Sequence, residues 1–172
     1  MKCLKRWVLL VSVLSAGAWA NEANLTHQQP FAVPLQKAAP KKTALVDPAY
    51  GMAFQKDAPF TCRAKLANGD EVYFASVKSI MQAYFHPDYF KRHKLLADTI
   101  ATMYVRDFLS GKELEATRAV YVFGSRLVGP HGDDLIPLSG PEQAKLFELK
   151  YGGHKVLPFE RLTKGLIRYL DM

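Results

Sequence analysis

Strand-like and helix-like patterns alternate along this chain in an order that occurs twice, and this repeated order limits the fold more than any other feature. In the first half, residues 60–66 and 71–75 are strand-like, and Asn-Gly-Asp at 68–70 is typical of a tight hairpin turn. Apolar residues at helical spacing follow Ser76, which occupies an N-cap position, and residues 100–108 are again strand-like. The first half is therefore predicted to be β-β-α-β.

The second half of the chain repeats this order. Residues 118–125 are strand-like, residues 135–138 are a candidate for the paired strand, and a helix is predicted to begin near Pro141. Two glycines at 152–153 end that helix, and residues 154–159 form a closing strand. We therefore predict an α+β fold of two tandem β-β-α-β units that form one compact domain. The two halves share little residue identity, so any duplication is one of structure.

The first twenty residues have the composition of a cleavable bacterial export signal. Lys2, Lys5 and Arg6 form a basic start, an apolar stretch runs from residue 7 to residue 14, and Ala-Trp-Ala at 18–20 fits the pattern read by signal peptidase. This apolar stretch is too short to cross the roughly 30 Å of a bilayer core. We therefore predict cleavage after Ala20, a periplasmic location, and no stable membrane anchor in the mature protein.

The mature chain is predicted to consist of an arm and a domain. Residues 21–44 contain three prolines and no hydrophobic period, which indicates an extended N-terminal arm, and residues 45–172 make up the folded domain. The full chain has 23 Lys and Arg against 16 Asp and Glu, and the signal removes three of those bases. The remaining excess is small and is not interleaved with aromatic residues on one element, which argues against nucleic acid as a partner.

The cysteine content and the missing catalytic motifs argue against an enzyme. Cys3 belongs to the signal, so Cys62 remains alone, and its alternation with apolar neighbours predicts a small buried residue. The chain has no serine nucleophile elbow, no phosphate-binding glycine loop, no HExxH and no CxxC. Asp133 and Asp134 are adjacent and are expected to point apart in a solvated turn, which makes them a poor acid–base pair.

Two short glycine-flanked segments carry the residues that could bind a ligand. Met52 follows Gly51 outside any apolar period, and His131 lies in a Gly-Pro-His-Gly sequence whose tight turn should leave the imidazole projecting from the loop. A thioether and an imidazole suit soft or borderline metal ions, Cu(I) above all. A lone methionine is more often a core residue than a metal ligand, and a lone histidine in a loop is more often an exposed residue without a ligand. The pair alone therefore does not establish a metal site.

A series of short motifs from about Ala49 to Glu160 carries a family resemblance through its order and spacing. The motifs are, in chain order, Gly51-Met52, the hairpin at 68–70 with Phe74, Tyr-Val-Arg-Asp at 104–107, Ser-Gly at 110–111, Ala-Val-Tyr-Val at 119–122, Gly-Ser at 124–125, Gly-Pro at 129–130 with Gly132, Ala144 with Phe147, and Gly-Gly at 152–153. In this series the chain resembles the NosL family, exported accessory proteins that supply copper to the periplasmic enzyme nitrous oxide reductase.

The resemblance implies a fold of two β-β-α-β units and a Cu(I) site built from a Cys-Gly-Met motif and from the methionine of a Gly-Pro-Met-Gly motif. This sequence departs from both motifs. Tyr50 stands where the family has its cysteine, which in many members is also lipidated, and His131 stands where the family has the second methionine. Only Met52 carries over unchanged. Loss of the thiolate implies weaker retention of copper, which suits a protein that must release it.

These observations lead to two hypotheses. The first is a periplasmic Cu(I)-binding metallochaperone that uses Met52 and His131 and delivers copper to nitrous oxide reductase or its assembly factors, with the neutral imidazole as the binding form. A third ligand would come from a partner protein or from one of Met81, Met103, Cys62 and His154. The second hypothesis, favoured by Tyr50, is an interaction or assembly protein that has the same fold and binds no metal. A carbon–metal lyase would need paired reactive cysteines, which the mature chain lacks.

Overall fold

The structure is a computed structural model that describes residues 44–172. The predicted signal at 1–20 and all of the predicted arm except Ala44 lie outside the described residues. Within residues 44–172, no helix combines the length and the apolar composition needed to span a membrane.

The first half of the described chain forms a small hairpin and a four-stranded antiparallel sheet. Its elements are β1 (Ala44–Val46), β2 (Ala53–Gln55), β3 (Cys62–Leu66), β4 (Glu71–Phe74), α1 (Val77–Phe85), α2 (Pro87–Arg92), β5 (Ile100–Arg106) and β6 (Glu113–Glu115). Among residues 44–172, strand β1 pairs only with β2, and the larger sheet has the order β4-β3-β5-β6. The β3–β4 turn follows the Asn-Gly-Asp prediction, with Gly69 at φ +93°. Ser76 caps α1 by accepting a hydrogen bond from the Ser79 amide.

The second half forms a three-stranded sheet covered by one helix. Its elements are β7 (Val120–Phe123), β8 (Ile136–Leu138), α3 (Pro141–Tyr151), β9 (Lys155–Pro158) and, after the closing strand, α4 (Lys164–Tyr169). The sheet order is β8-β7-β9, so the first strand is central and the strand after the helix lies on its other side. The β4-β3-β5 part of the larger sheet has the same order. The prediction of two tandem β-β-α-β units in an α+β fold is therefore confirmed.

Most of the buried apolar side chains form one core beside the larger sheet. Helix α1 contributes Ile80 and Met81, α4 contributes Ile167, and Leu170 follows at the C-cap of α4. Cys62 lies in the same core, where its thiol donates to the Phe60 carbonyl at 3.4 Å and where burial raises its pKa. A smaller cluster under α3 includes Phe147. Because α4 packs on α1, the chain that follows α4 returns to the N-terminal end of α1.

An aspartate organises the turn between β1 and β2. One carboxylate oxygen of Asp47 accepts hydrogen bonds from the amides of Ala49 and Tyr50, at 2.8 and 3.0 Å. The Gly51 amide donates to the Asp47 carbonyl at 2.8 Å, and the second carboxylate oxygen accepts from the Ala75 amide at 2.6 Å. Asp47 thus shapes its own turn and ties it to the residue before the N-cap of α1.

The turn between β5 and β6 repeats this arrangement around Asp107. One oxygen of its carboxylate accepts from the amides of Leu109 and Ser110, at 3.0 and 2.7 Å, and the Gly111 amide donates to the Asp107 carbonyl at 2.8 Å. The other oxygen accepts from the Ser139 amide at 2.6 Å, next to the N-cap of α3. The expected duplication therefore extends to individual hydrogen bonds, although the two turns share only the aspartate and the glycine.

Candidate metal centre

An open cavity of about 510 Å³ lies where the β1–β2 turn, the β7–β8 loop and the residues after α4 meet. The lining residues that matter here are Tyr50, Met52, Lys78, His131, Asp171 and Met172. Both residues predicted as metal ligands, Met52 and His131, therefore line the same cavity. They arrive there from turns in different halves of the molecule.

Met52 is placed by the Asp47 turn. Gly51 adopts φ +69°, a left-handed conformation that a side chain would strain, and the Asp47 amide then donates to the Met52 carbonyl at 2.9 Å. The backbone of Met52 is fixed by that bond, while Met52 itself remains 50% exposed. The turn thus presents a thioether to the cavity and to solvent together.

His131 is placed by a closed turn but does not project into solvent. The Gly129 amide donates to the Gly132 carbonyl at 2.7 Å, and Gly132 adopts φ +91°, as the glycine pattern predicts. The expectation of a projecting imidazole is wrong, since the side chain is only 5% exposed. It folds inward because its ring stacks on the Tyr50 ring, with centroids 4.2 Å apart and an interplanar angle of 28°.

The surroundings of the imidazole keep it neutral. Burial lowers the pKa of His131, the Asp47 carboxylate opposes that shift, and the Lys78 ammonium adds to it. His131 Nε2 is buried and has no hydrogen-bond partner in residues 44–172, and the Asp47 carboxylate lies 3.8 Å from it. The ring is therefore free to act as a neutral donor.

Tyr50 covers the imidazole and cannot replace a thiolate. Its hydroxyl donates to an Asp171 carboxylate oxygen at 2.7 Å, and burial together with Asp171 raises its pKa. The phenol stays protonated near neutral pH and is already engaged in a hydrogen bond. Tyr50 therefore stacks on the His131 ring and connects the β1–β2 turn to Asp171.

Lys78 lies behind the cavity wall and holds its segments together. The ammonium group donates to the carbonyls of His131 and Leu170, at 2.6 and 3.0 Å, and lies 3.2 Å from the Asp171 carboxylate. The side chain is almost fully buried. One lysine from the first turn of α1 thus fixes both the His131 loop and the residues after α4, and Asp171 balances its charge.

Asp134 corrects the prediction of a solvated Asp-Asp turn. Asp133 is exposed, but Asp134 is only 3% exposed and accepts hydrogen bonds from the amides of Lys78 and Leu135, at 2.9 and 2.8 Å. Its other carboxylate oxygen has no partner among the described residues. Burial raises the pKa of Asp134 to about 6 against these hydrogen bonds. The carboxyl group caps the N-terminal end of α1.

The structure removes most of the candidates for a third ligand. Met81, Met103 and Cys62 are buried in the main core, and none of them lines the cavity. His154 lines a neighbouring cavity of about 270 Å³ instead. Within residues 44–172, no group of three His, Cys, Asp or Glu side chains is arranged to hold a metal ion.

Met172 also lines the cavity, and the sequence analysis missed it. The sequence pattern that could have predicted its position is a threonine cap at Thr163 followed by apolar residues at Leu166, Ile167 and Leu170. This pattern is typical of a short helix that packs on the core. The soft donors on the cavity are then the thioethers of Met52 and Met172 and the imidazole of His131, and the Asp133 and Asp171 carboxylates lie on the same lining. Thioether sulfur and imidazole nitrogen fit a soft cation such as Cu(I).

Comparisons with known proteins agree with this architecture. The sequence model of a family described as NosL matches residues 47–167. The crystal structure of the copper chaperone NosL from Shewanella denitrificans is similar with a TM-score of 0.56 and 21% identity, over 74% of this chain and 99% of that one, which shows a shared fold. The solution NMR structure of apo-NosL from Achromobacter cycloclastes gives a TM-score of 0.45 and 22% identity, over 62% of this chain and 87% of that one. No curated protein matches.

Proposed function

The chain belongs to the NosL family, and from this premise we propose that it is a copper(I) carrier that binds its cargo at Met52 and His131 and passes it to a periplasmic acceptor. Membership in this family also confirms the prediction that the chain is not an enzyme. The proposed acceptor is nitrous oxide reductase or one of its assembly factors. The solved relative from Shewanella denitrificans is described as a copper chaperone, which supports copper as the cargo.

One observation carries the proposal. Met52 and His131 come from turns in different halves of the fold, and both line one open cavity. The thioether is half-exposed, and the imidazole is kept neutral by burial. A sulfur donor and a neutral nitrogen donor at one cavity form a set that Cu(I) favours.

The donor set also suits transfer. Neither ligand is anionic, so the ion is held less tightly than a thiolate would hold it. A ligand of the acceptor approaches from the exposed side, adds to the copper, and displaces Met52 and then His131. The metal remains Cu(I) throughout, and transfer needs neither a redox partner nor a bound nucleotide.

A Cu(I) competition titration with a coloured chelator tests the site under anaerobic conditions. Met52→Leu keeps the apolar volume and removes the sulfur, and His131→Ala removes the imidazole. Each variant is expected to lower the Cu(I) affinity by about tenfold or more. His93→Ala, which removes an exposed imidazole from the end of α2, is the matched control and should leave the affinity unchanged. Wild-type affinity in both site variants would remove the proposed site.

A second candidate function is an interaction or assembly protein that binds no metal. Its support is Tyr50, which replaces a thiolate and stacks over the only imidazole on the cavity within the described residues. Equilibrium dialysis against a buffered Cu(I) concentration separates the two functions. A carrier retains close to one copper per chain, and an interaction protein retains none.

Export and processing are part of the same proposal. The leader at residues 1–20, the arm at 21–44 and the domain at 45–172 predict a mature periplasmic protein that begins at Asn21. Mass spectrometry of the intact protein from a periplasmic fraction measures this directly. A protein that keeps residues 1–20 and stays in the membrane fraction would contradict it.

A further inference from the structure

Met172 has no role in the mechanism proposed above, yet it lines the same cavity as Met52 and His131. It is 98% exposed, so its packing in the domain does not explain its position. We propose that the Met172 thioether is the third ligand of the copper ion, an assignment that rests on the proposed function of this cavity.

The residues before Met172 fix where its side chain starts. Leu170 packs in the main core, and its carbonyl accepts a hydrogen bond from Lys78 Nζ at 3.0 Å. The Asp171 carboxylate accepts from the Tyr50 hydroxyl and from the Gln82 amide. Position 172 is therefore held at the cavity by two consecutive anchored residues.

The backbone at position 172 is also held. The Met172 amide donates to the Tyr169 carbonyl at 3.3 Å and so continues the turn that ends α4. Only the side chain remains free, and an unbranched thioether with three rotatable bonds can adapt to an ion in the cavity. A fixed backbone with a flexible thioether side chain suits a ligand that binds a metal ion and then releases it.

The chemistry of a third thioether matches the site. Two sulfurs and one imidazole nitrogen form a neutral soft set, which Cu(I) accepts and which adds no charge beside the ion pair of the buried Lys78 with Asp171. The exposed position of Met172 also makes it the ligand that an acceptor displaces first. Met172 thereby replaces part of the retention that the absent cysteine would have supplied.

The test compares Met172→Leu with wild type by Cu(I) competition titration and by X-ray absorption at the copper edge. Leucine keeps the apolar surface and removes only the sulfur, so a hydrophobic docking role would survive the change. The expected result is a loss of affinity of about tenfold or more and a decrease from two sulfur neighbours to one. Met103→Leu removes a core sulfur outside the cavity and is the matched control.

The outcomes separate this inference from the proposed function. If Met172→Leu keeps the wild-type affinity and the wild-type number of sulfur neighbours, while Met52→Leu loses affinity and one sulfur neighbour, Met172 is not a ligand and the carrier function stands. If the Met52, His131 and Met172 variants all bind as wild type does, the proposed site fails and this inference fails with it. Loss in all three variants supports the three-ligand site. Because Met172 is exposed, a loss of affinity in Met172→Leu cannot be assigned to misfolding.

Discussion

Tyr50 stands where the sequence resemblance implies a cysteine. It stands at the tip of the Asp47 turn, stacks on His131 and donates its hydroxyl to Asp171. A cysteine at this position would present a thiolate to the same cavity. The hydrogen-bonded phenol adds no anionic donor to Met52 and His131. A Cu(I) ion bound there is therefore expected to be held weakly.

Tyr50→Cys is expected to raise the Cu(I) affinity by more than about tenfold, because a thiolate joins the thioether and the imidazole. The competition titration measures this change. The duplicated turn offers the matched control, since Ser110 occupies the corresponding position of the Asp107 turn, away from Met52 and His131. Ser110→Cys should bind copper no better than a lone thiol does. Equal gains in both variants would show that a new thiol, rather than this cavity, raises the affinity.

At the scale of elements, the β1–β2 hairpin is held mainly by contacts outside itself. Each strand has three residues, and none of the six is fully buried. The stabilising contacts come from the Asp47 carboxylate, which accepts from the Ala75 amide and from the Ser79 hydroxyl of α1 at 2.6 Å. The turn that carries Met52 therefore depends on one buried side chain.

Asp47→Asn is expected to lower the free energy of unfolding by about 1–3 kcal/mol, because the new amide group would face the Ala75 amide donor. The variant should also weaken copper binding, since the hairpin presents Met52 and Asp47 neighbours His131. Chemical denaturation measures the first effect and the competition titration measures the second.

Asp107→Asn is the matched control, because it introduces the same conflict with the Ser139 amide in the other turn. This variant should lose comparable stability and keep its copper affinity. If both variants lose stability and neither loses affinity, Asp47 has no role in positioning the donors.

Asp134 links the stability of the whole domain to pH. Its pKa is about 6 in the folded protein and near its ordinary value of 3.8 in the unfolded chain. The folded state therefore binds the proton more tightly between these values, and stability falls as pH rises from about 4 to about 6. Above about pH 6 the Asp134 carboxylate is ionised, and the free energy of unfolding is lower by up to about 3 kcal/mol than below about pH 4, where the group is protonated.

Asp134→Asn should remove this contribution, since the amide oxygen still accepts from the Lys78 and Leu135 amides and no proton is bound. The difference in unfolding free energy between variant and wild type is expected to shift in favour of the variant as pH rises from 4 to 6. Denaturation at several pH values measures it, with Asp133→Asn as the control for an exposed carboxylate. A difference that stays constant across this range would contradict the assignment.

Sequence periodicity predicted the order of the main elements because each carries its own local pattern. The hairpin glycine at Gly69, the Ser76 cap and the alternation around Cys62 all occur in the structure as expected. Of the four three-residue strands in residues 44–172, β8 was a candidate from the sequence, and β1, β2 and β6 were missed because so few residues carry no period. Helix α4 is short and was missed as well, and Met172 with it.

The candidate metal site was only partly predictable, for a different reason. Glycine framing singled out Met52 and His131, and the structure brings both to one cavity. The inward orientation of His131 depends on Tyr50, Asp47 and Lys78, all of which are distant in sequence. Burial of Asp134 likewise follows from its hydrogen bond to α1 and not from its neighbours in the chain. Tertiary contacts therefore decide how the donors are presented.

The Asp-anchored turn occurs twice, with Tyr-Gly-Met at one tip and Ser-Gly-Lys at the other. Since both copies keep the same network of backbone bonds, this loop tolerates very different chemistry at its apex. Substitution of two side chains at the tip of the turn can therefore change what the turn binds, while its backbone hydrogen bonds are kept. On such a turn, a tight copper site, a weak one and a site that binds no metal would differ by as few as two side chains.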